Sequence, residues 1–480
     1  MKHHSFVAEF VIVSILLVLT LFPRLYRITY PLTDWHSWRQ ADTASVTREF
    51  VKHGIDLLHP TFQDLSNIQS NMENPQGYRM VEFPLLNAGT ALLISTFHLE
   101  KNEVIVGRSV SIFFSLITAL CIYVIGRNLT NKRVGVLATL LFAFLPYSVY
   151  YGRTILPDVP MLSFAMVAFV FHMVWLRSKN HGRIWYLLSL VSFAVALLLK
   201  PFVLVFALVF AALAVQEKGK KALVLPGMYL FPLLALAPFV LWRQWMTQYP
   251  AGIPGSSWLF NETDLRFTGA FWHWLFEVRV SSLILGIGLI VPCVMGLVRK
   301  GKDWLVYTAW AIAMFTYLSI VAGGNIRHDY YQIMLIPFLV LTVARGMDTL
   351  LRLPSTFVHP LAVKASLVLL TAFSIFVSWY VVRGYFNVNK WELTEAGQAI
   401  DRLTPPDAKV IAPYGADTAF LFQTNRTGWP VDGEIEKRIT QGATYYSSIT
   451  YDDETNAMMK TYQVIEKTPR YVIVKLQKHL

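Results

Sequence analysis

Residues 107–133 read GRSVSIFFSLITALCIYVIGRNLTNKR. The stretch 107–126 is almost wholly apolar, and as a helix it is long enough to cross the ~30 Å hydrocarbon core of a bilayer. Arg127, Lys132 and Arg133 follow at once. Because basic residues beside a span are retained on the cytoplasmic side, this stretch predicts both a transmembrane helix and its direction.

The whole chain has the composition of a membrane protein. Of its 480 residues, 55% are hydrophobic and only 15% are charged, and the mean hydropathy is +0.45. An ordinary soluble protein has roughly 25% charged residues, so a cytosolic globular enzyme and a disordered chain are excluded. The 2 cysteines, Cys121 and Cys293, both lie in apolar runs, which excludes a disulfide scaffold.

The same apolar pattern recurs along the chain and predicts about eleven transmembrane helices. The apolar stretch 84–98 is short, and a full span there would invert every later connector, so it predicts an interfacial or partly re-entrant helix. The predicted spans are 6–23, 107–126, 134–151, 158–176, 185–199, 202–216, 222–242, 281–298, 304–322, 331–350 and 361–382.

Alternate connectors of this scheme are basic, which places them in the cytoplasm together with Met1–Ser5. The net charge of +12 therefore orients the protein and gives no reason to expect nucleic acid as a partner. The basic residues of these connectors are Arg127, Lys132, Arg133, Arg177, Lys179, Arg183, Lys218, Lys220, Lys221, Arg299, Lys300, Lys302, Arg345 and Arg352.

The predicted fold class is an all-α polytopic membrane protein with a long first extracytoplasmic loop and a small C-terminal α/β domain. Helical spacing over 394–403 and strand-like runs at 410–412 and 471–474 indicate that domain. The predicted boundaries are 1–382 for the transmembrane catalytic domain, with extracytoplasmic loops at 24–106 and 243–280, and 383–480 for the α/β domain.

The first extracytoplasmic loop begins with DWHSWRQADT, residues 34–43, a dense group of polar and aromatic residues beside a span. The carboxylate of Asp34 or Asp42 is suited to take a proton from an acceptor hydroxyl. The alternatives are that Asp34 caps a helix and that Asp42 pairs with Arg39. Indole rings can cover sugar faces, and the candidates for sugar or acceptor contacts are Trp35, His36, Trp38, Arg39, Glu82, Tyr330 and Tyr331.

Three further connectors on the same side contain ionisable residues at the ends of spans, where such residues are functional candidates. Arg153 precedes Asp158, and the two form either part of a site or a structural pair. Lys200 either faces an anion or extends to the interface. Arg327 has a planar guanidinium that suits phosphate, and His328 adds a donor, unless the connector is an ordinary polar hairpin.

These connectors predict one extracytoplasmic cavity, in which cations hold a lipid-linked phosphate and a carboxylate activates an acceptor. No P-loop, GxGxxG, HExxH or GxSxG motif occurs in the sequence, so nucleotide phosphoryl transfer, hydride transfer and serine hydrolysis have no support. No metal ligands are assigned, and dependence on a divalent metal is left open.

Across residues 6–350 the chain resembles the GT-C superfamily of membrane glycosyltransferases. The resemblance is to the dolichyl-phosphate-mannose–protein mannosyltransferase family and its bacterial aminoarabinose-transferase-like relatives. The motifs that carry it are, in order, DWHSWRQADTASVTREF, EFPLLN, GRNLTNKR, YYGRTILPDVPM, LLLKPF and RHDYYQIMLIP.

The resemblance implies an inverting glycosyltransferase that takes a sugar from a polyprenyl-phosphate donor on the outer face of the membrane. Asp34 is the nearer match to the family's catalytic base, and Asp42 is the alternative. The resemblance matches Asp158 to a second carboxylate. It further implies that the donor phosphate is bound by Lys200, Arg327 and His328, and Arg153 is a further candidate from its position at the mouth of a span.

The expected partners are membrane lipid, a polyprenyl-phosphate sugar and a glycan, lipid or protein acceptor. The expected location is the bacterial inner membrane, with the active site facing the periplasm or exterior. Two alternatives stay open. A transporter or flippase predicts charged residues deep in the spans and inverted halves. An inactive scaffold predicts a C-terminal domain that only binds a partner.

Overall fold

The computed structural model describes residues 2–178 and 182–478, so Met1 and Lys179 of the predicted cytoplasmic set lie outside the described residues. The described chain is mostly helical, with a small sheet near its C-terminus. The helices are α1 Lys2–Arg24, α2 Ser37–His53, α3 Leu85–Phe97, α4 Glu103–Leu129, α5 Lys132–Phe144, α6 Pro146–Tyr151, α7 Asp158–Arg177, α8 Gly182–Leu199, α9 Phe206–Lys218, α10 Pro226–Met246, α11 Gly269–Trp274, α12 Ile290–Val298, α13 Trp304–Ile320, α14 Ala322–Arg327, α15 Ile336–Leu350, α16 Pro360–Val382, α17 Trp391–Leu403, α18 Ala419–Gln423, α19 Ile435–Thr440 and α20 Asp453–Thr461.

Among the described residues, 8 helical segments are long and apolar enough to cross a membrane, and each overlaps a predicted span. The chain is therefore a multi-pass integral membrane protein, as predicted. The segments are Val7–Arg24, Glu100–Leu129, Asp158–Arg177, Gly182–Leu199, Pro201–Val224, Pro226–Met246, Asp329–Leu350 and Pro360–Leu403.

The other three predicted spans correspond to shorter helices. The predicted span 304–322 is α13, which has 17 residues. The predicted span 281–298 is divided into a π-helical stretch, Leu275–Ile284, and α12. The predicted span 134–151 is divided into α5 and α6. The short apolar stretch predicted at 84–98 is helix α3, of 13 residues.

Pro146 separates α5 from α6. Proline has no N–H, so the carbonyl of Phe142, four residues earlier, lacks its helical donor. Arg24 Nη2 donates to this carbonyl at 3.1 Å, and the Ser148 hydroxyl donates to it at 2.8 Å. Arg24 is fully buried. A buried arginine from α1 thus replaces the hydrogen bond that the proline removes.

Replacing Arg24 with methionine keeps an apolar stem but removes this donor. We expect Arg24→Met to lower the free energy of unfolding by about 1–3 kcal/mol, because buried carbonyls lose a charged partner. Thermal unfolding of the detergent-solubilised protein measures the effect. The control is Arg183→Met, at an exposed position in α8. Equal melting temperatures of Arg24→Met and Arg183→Met would show that Arg24 does not stabilise the junction between α5 and α6.

Contacts divide the chain into two compact units. The first unit consists of Met1–Ile28, Ser109–Trp242 and Ser256–Arg383, and the second of Thr29–Arg108, Arg243–Gly255 and Gly384–Leu480. In the first unit, α12 packs closely on α15. A Cβ added to Gly296 would lie 1.8 Å from the Thr342 carbonyl oxygen, and one added to Gly346 would lie 1.8 Å from that of Pro292. Small residues allow this close packing of membrane helices.

The second unit contains a five-stranded mixed sheet, which confirms a small C-terminal α/β fold. Its strand order is β2-β1-β3-β5-β4. β1 is parallel to β2 and β3, whereas β5 is antiparallel to β3 and β4. Alternate residues point to opposite faces of the sheet, so Val410 packs with Ile400 on one face and Ile411 packs with Trp429 on the other. The strands are β1 Lys409–Ile411, β2 Thr427–Trp429, β3 Ala443–Ser448, β4 Tyr462–Lys467 and β5 Val472–Lys478.

Within the second unit, the first loop is joined to this sheet. The Leu65 N–H donates to the Gly428 carbonyl at 2.8 Å, and the Gly428 N–H donates to the Gln63 carbonyl at 2.9 Å. Arg48 of α2 forms an ion pair with Glu103, and it donates to the Phe422 carbonyl at 2.5 Å. The loop and the C-terminal region therefore form one packed body that holds α2, the helix that follows Asp34 and contains Asp42.

Candidate active site

Asp158 and Lys200 form a buried ion pair in the first unit. Asp158 is the first residue of α7, and Lys200 follows the last residue of α8. Lys200 Nζ lies 2.9 Å from Asp158 Oδ2, and the two residues are 5% and 3% exposed. Asp158 thus pairs with Lys200 and not with Arg153, and Lys200 does not extend to the interface. Removing either partner would leave a buried charge without compensation.

Aromatic rings lie against the Lys200 ammonium. Its Nζ is 4.9 Å from the centre of the Tyr331 ring and 5.2 Å from that of Tyr330. The two tyrosine rings stack at 4.7 Å, and the His328 ring stacks on Tyr330 at 5.4 Å. A cation beside these ring faces is stabilised by the ring quadrupole.

The stack continues through Trp258, which lies in the short 3-10 turn Ser257–Leu259. Its ring and the His328 ring are nearly perpendicular, with their centres 5.5 Å apart. The Arg327 guanidinium lies over the other end, 5.5 Å from the Trp258 ring centre. We call Tyr331, Tyr330, His328 and Trp258 the aromatic row. Lys200 lies at one end of the row and Arg327 at the other.

Arg327 is exposed, and among residues 2–178 and 182–478 no carboxylate lies within ion-pair distance of it. The next acid along the chain, Asp329, is fully buried and pairs with Arg279 at 3.3 Å. Tyr151 also donates to Asp329. Asp329 was not among the residues predicted for the site, although it lies in the motif RHDYY. Its contacts fix the backbone between Arg327 and the tyrosines.

Arg153 is buried in the first unit. Its Nη1 donates to the Arg27 carbonyl at 3.0 Å, and its guanidinium lies 5.6 Å from the Tyr150 ring centre. The predicted role of Arg153 at the donor phosphate stays a prediction.

In the second unit, Asp34 precedes α2 and is 1% exposed. It accepts hydrogen bonds from Gln40 at 2.9 Å and from Arg108 at 3.1 Å. Since α2 begins at Ser37, the Asp34 side chain does not cap the helix. Arg108 was not selected from the sequence, although it is an ionisable residue near the start of an apolar span, a position that signals function.

Asp42 is fully buried in α2 and has different partners from those expected. Its Oδ2 pairs with Arg79 at 2.9 Å, and its Oδ1 accepts from the Thr418 hydroxyl at 2.7 Å. Arg39, the predicted partner, forms an ion pair with Glu82 instead. Thr418 belongs to the C-terminal region, so this carboxylate is held by two segments that are distant in the sequence.

The remaining aromatic candidates lie near the start of α2. Trp35 is 40% exposed and stacks on Tyr385 at 4.8 Å with an angle of 13° between the rings. His36 has a left-handed backbone, with φ of 53°, and its ring lies 5.0 Å from that of Trp35. The Trp38 carbonyl accepts from Thr418 at 3.1 Å. An exposed, supported indole is suited to stack on a sugar face.

Two further acids share the environment of Asp42. The pKa of Asp64 is raised to about 6: burial raises it most, the Ser66 N–H lowers it, and the charge of Asp42 raises it. Burial also raises the pKa of Asp417 to about 6, and Asp42 again adds to the effect. The folded chain therefore binds protons at these groups up to about pH 6, whereas an unfolded aspartate releases its proton near pH 4.

This difference predicts that stability falls as the pH rises from about 4 to about 6, by about 3 kcal/mol for each group. Asp417→Asn removes one ionisable group and keeps an acceptor for the Ala419 N–H. We expect this variant to melt at a higher temperature than the wild type at pH 7 and at the same temperature near pH 4. The exposed Asp407→Asn serves as control. Coincident melting curves of Asp417→Asn and wild type at pH 7 would contradict the raised pKa of Asp417.

The described residues contain no group of three or more histidine, cysteine or acidic side chains placed to hold a metal ion. Dependence on a metal therefore stays open. The structure brings Asp158, Lys200, His328, Tyr330 and Tyr331 together in the first unit, with Arg327 at the far end of the aromatic row. Asp34, Asp42, Arg39 and Glu82 lie in the second unit. The single cavity expected from the sequence stays a prediction.

Comparison with known families gives a match to the family model described as dolichyl-phosphate-mannose-protein mannosyltransferase, over residues 88–245. That stretch contains Arg153, Asp158 and Lys200. A sequence search of curated proteins finds no match.

Solved structures show the same fold over nearly the whole chain. ArnT from Cupriavidus metallidurans, bound to undecaprenyl phosphate, has a TM-score of 0.65 at 14% identity, with 97% of each chain covered. The oligosaccharyltransferase of Archaeoglobus fulgidus, in complex with Zn and sulfate, has a TM-score of 0.54 at 11% identity, covering 95% of this chain and 72% of that one.

The arabinofuranosyltransferase AftD from Mycobacteria has a TM-score of 0.56 at 12% identity, and the match covers 97% of this chain and 41% of AftD. At these identities the matches show the fold. The chain therefore has the GT-C fold of integral membrane glycosyltransferases and, as its motifs predicted, resembles the dolichyl-phosphate-mannose–protein mannosyltransferase family over residues 88–245.

Proposed function

We propose that this protein is an inverting glycosyltransferase that moves a sugar from a polyprenyl-phosphate donor to an acceptor outside the cytoplasm. The observation that carries the proposal is the buried Asp158–Lys200 pair beside the aromatic row, within a chain that has the GT-C fold. Both members of the pair lie in the stretch that matches the mannosyltransferase family model. The location proposed is the bacterial inner membrane, with the site facing the periplasm or exterior.

The cations of the first unit suit a lipid-linked phosphate. An ammonium has three N–H donors, so Lys200 can keep its contact with Asp158 and still donate to a phosphate oxygen. Arg327 adds an exposed guanidinium, which binds phosphate in a bidentate manner. We assign the donor phosphate to Lys200, Arg327, His328 and Arg153. The undecaprenyl phosphate in ArnT supports a ligand of this class.

The proposed reaction needs one base and no general acid. The acceptor hydroxyl attacks the anomeric carbon, and a new C–O bond forms on the face opposite the leaving group. The bond from the anomeric carbon to the phosphate oxygen breaks, and its electron pair leaves with the polyprenyl phosphate. The cations stabilise the charge that develops there, which is the main source of acceleration in such sites. The acceptor proton passes to a carboxylate, which we assign to Asp34.

The remaining carboxylates and the aromatic side chains have separate proposed roles. Asp34 is the nearer match to the family's base, so we assign Asp42, with its Oδ2 on Arg79 and its Oδ1 on Thr418, the role of organising α2. Asp158 holds Lys200 in place. The exposed Trp35 offers a face for a sugar ring, and we assign the same class of contact to His36, Trp38, Arg39, Glu82, Tyr330 and Tyr331.

A transfer assay on the purified full-length protein tests the proposal. The protein is incubated with a panel of undecaprenyl-phosphate sugars and an envelope extract, and mass spectrometry measures the release of undecaprenyl phosphate, which is the product common to all these donors. We expect release from at least one donor that depends on the extract. Release of undecaprenyl phosphate without an acceptor product would indicate hydrolysis. No release from any donor of the panel would contradict the proposal. Glycan profiles of cells with and without the gene then identify the acceptor.

A further inference from the structure

The loop segment 256–260 is fixed to the connector that contains Arg327. The Gly323 N–H donates to the Phe260 carbonyl at 2.7 Å. A Cβ at Gly323 would lie 1.8 Å from the Trp258 carbonyl oxygen, so only glycine permits this approach. The sequence predicts a large loop at 243–280, and none of its residues was a predicted site residue. The contact gives one of its residues, Trp258, a defined place.

Trp258 contacts two of the groups assigned to the donor phosphate. The Arg327 guanidinium lies over the Trp258 ring, and the planes of the Trp258 and His328 rings meet at 85°. Arg327 has no carboxylate partner among the described residues, and its guanidinium lies over the Trp258 indole, a contact that restricts where this long, exposed side chain points. A guanidinium held on an aromatic face loses less conformational freedom on binding phosphate.

We infer that Trp258 is a positioning residue for donor binding: its indole holds Arg327 in the orientation that receives the phosphate of the lipid-linked sugar. The inference rests on the proposed function. It gives the second large loop a part in donor affinity, and it predicts that Trp258 acts through Arg327 without contributing to bond making. The KM for the donor should therefore rise when the indole is lost, while kcat stays nearly constant.

The test measures the binding of undecaprenyl phosphate to the purified full-length protein. We expect Trp258→Ala to raise the Kd about tenfold, which is the range of a cation–π contact at a partly exposed site. Trp258→Phe, which retains a ring face, should recover most of the affinity. Gly323→Ala should weaken binding like Trp258→Ala, because its methyl group displaces the segment. The matched control is Phe260→Ala, since that side chain is 44% exposed and its backbone carbonyl is kept.

A double-mutant cycle separates positioning from a general loss of structure. If Trp258 acts through Arg327, the variant Trp258→Ala/Arg327→Gln binds no more weakly than Arg327→Gln alone. Additive losses, an unchanged Kd for Trp258→Ala, or an equal loss for Phe260→Ala would each overturn the inference while the proposed function stands. If the wild type itself does not bind undecaprenyl phosphate, the proposed function fails and the inference fails with it.

Discussion

Lys200→Gln is expected to lower the rate of sugar transfer by about 10²–10³-fold, which is the usual effect of removing one donor that stabilises developing charge. The donor phosphate would lose its buried cation, and Asp158 would lose its partner at 2.9 Å. Release of undecaprenyl phosphate measures the rate. The control is Lys218→Gln, at an exposed lysine that ends α9.

Loss of stability must be separated from loss of catalysis, because a buried charge without its partner costs about 3–5 kcal/mol. The double variant Asp158→Asn/Lys200→Gln keeps the size of both side chains and removes both charges. We expect it to recover the melting temperature of the wild type and to stay inactive. A double variant that recovers both stability and transfer would show that the pair has a structural role only.

Asp34→Asn is expected to lower kcat by about 10²–10⁴-fold, the range for loss of a general base. The affinity for undecaprenyl phosphate should not change, since we assign the phosphate to other side chains. The amide can still accept a hydrogen bond from Gln40, and the variant Asp34→Asn/Arg108→Gln controls for the buried arginine left without its partner. Transfer and binding assays together measure the two effects.

The variant Asp42→Asn is compared with Asp34→Asn, because Asp42 is the alternative candidate for the base. Its carboxylate pairs with Arg79, so the expected effect is a lower melting temperature. The variant Asp42→Asn/Arg79→Gln should recover stability and a large part of the activity. If Asp42→Asn abolishes transfer in a stable protein while Asp34→Asn remains active, the base is Asp42, and our assignment of Asp34 is wrong.

Much of the fold was predictable because apolar length and basic connectors are local signals. The spans that were predicted as continuous but are divided show the limit of such signals. Nothing near Pro146 indicates that Arg24, on a different helix, supplies the missing donor. Likewise, the approach of Gly296 to Thr342 requires knowledge of which helices are neighbours. The interruption of a helix and the close packing of two helices depend on tertiary contacts, which local sequence signals do not reveal.

The candidate residues of the site were predictable, but most of their partners were not. Asp158 and Lys200 each stood out as ionisable residues at the end of a span. Their pairing was missed because the competing partner, Arg153, is nearer in the sequence. Thr418 gave no signal, since a threonine in the C-terminal region is ordinary until the fold places it 2.7 Å from Asp42.

A structure of the protein with undecaprenyl phosphate tests the central claim most directly, because the claim assigns a lipid-linked phosphate to the cations of the first unit. We predict that the phosphate oxygens lie within about 3 Å of Lys200 Nζ or of the Arg327 guanidinium. A phosphate bound away from both side chains would contradict the account.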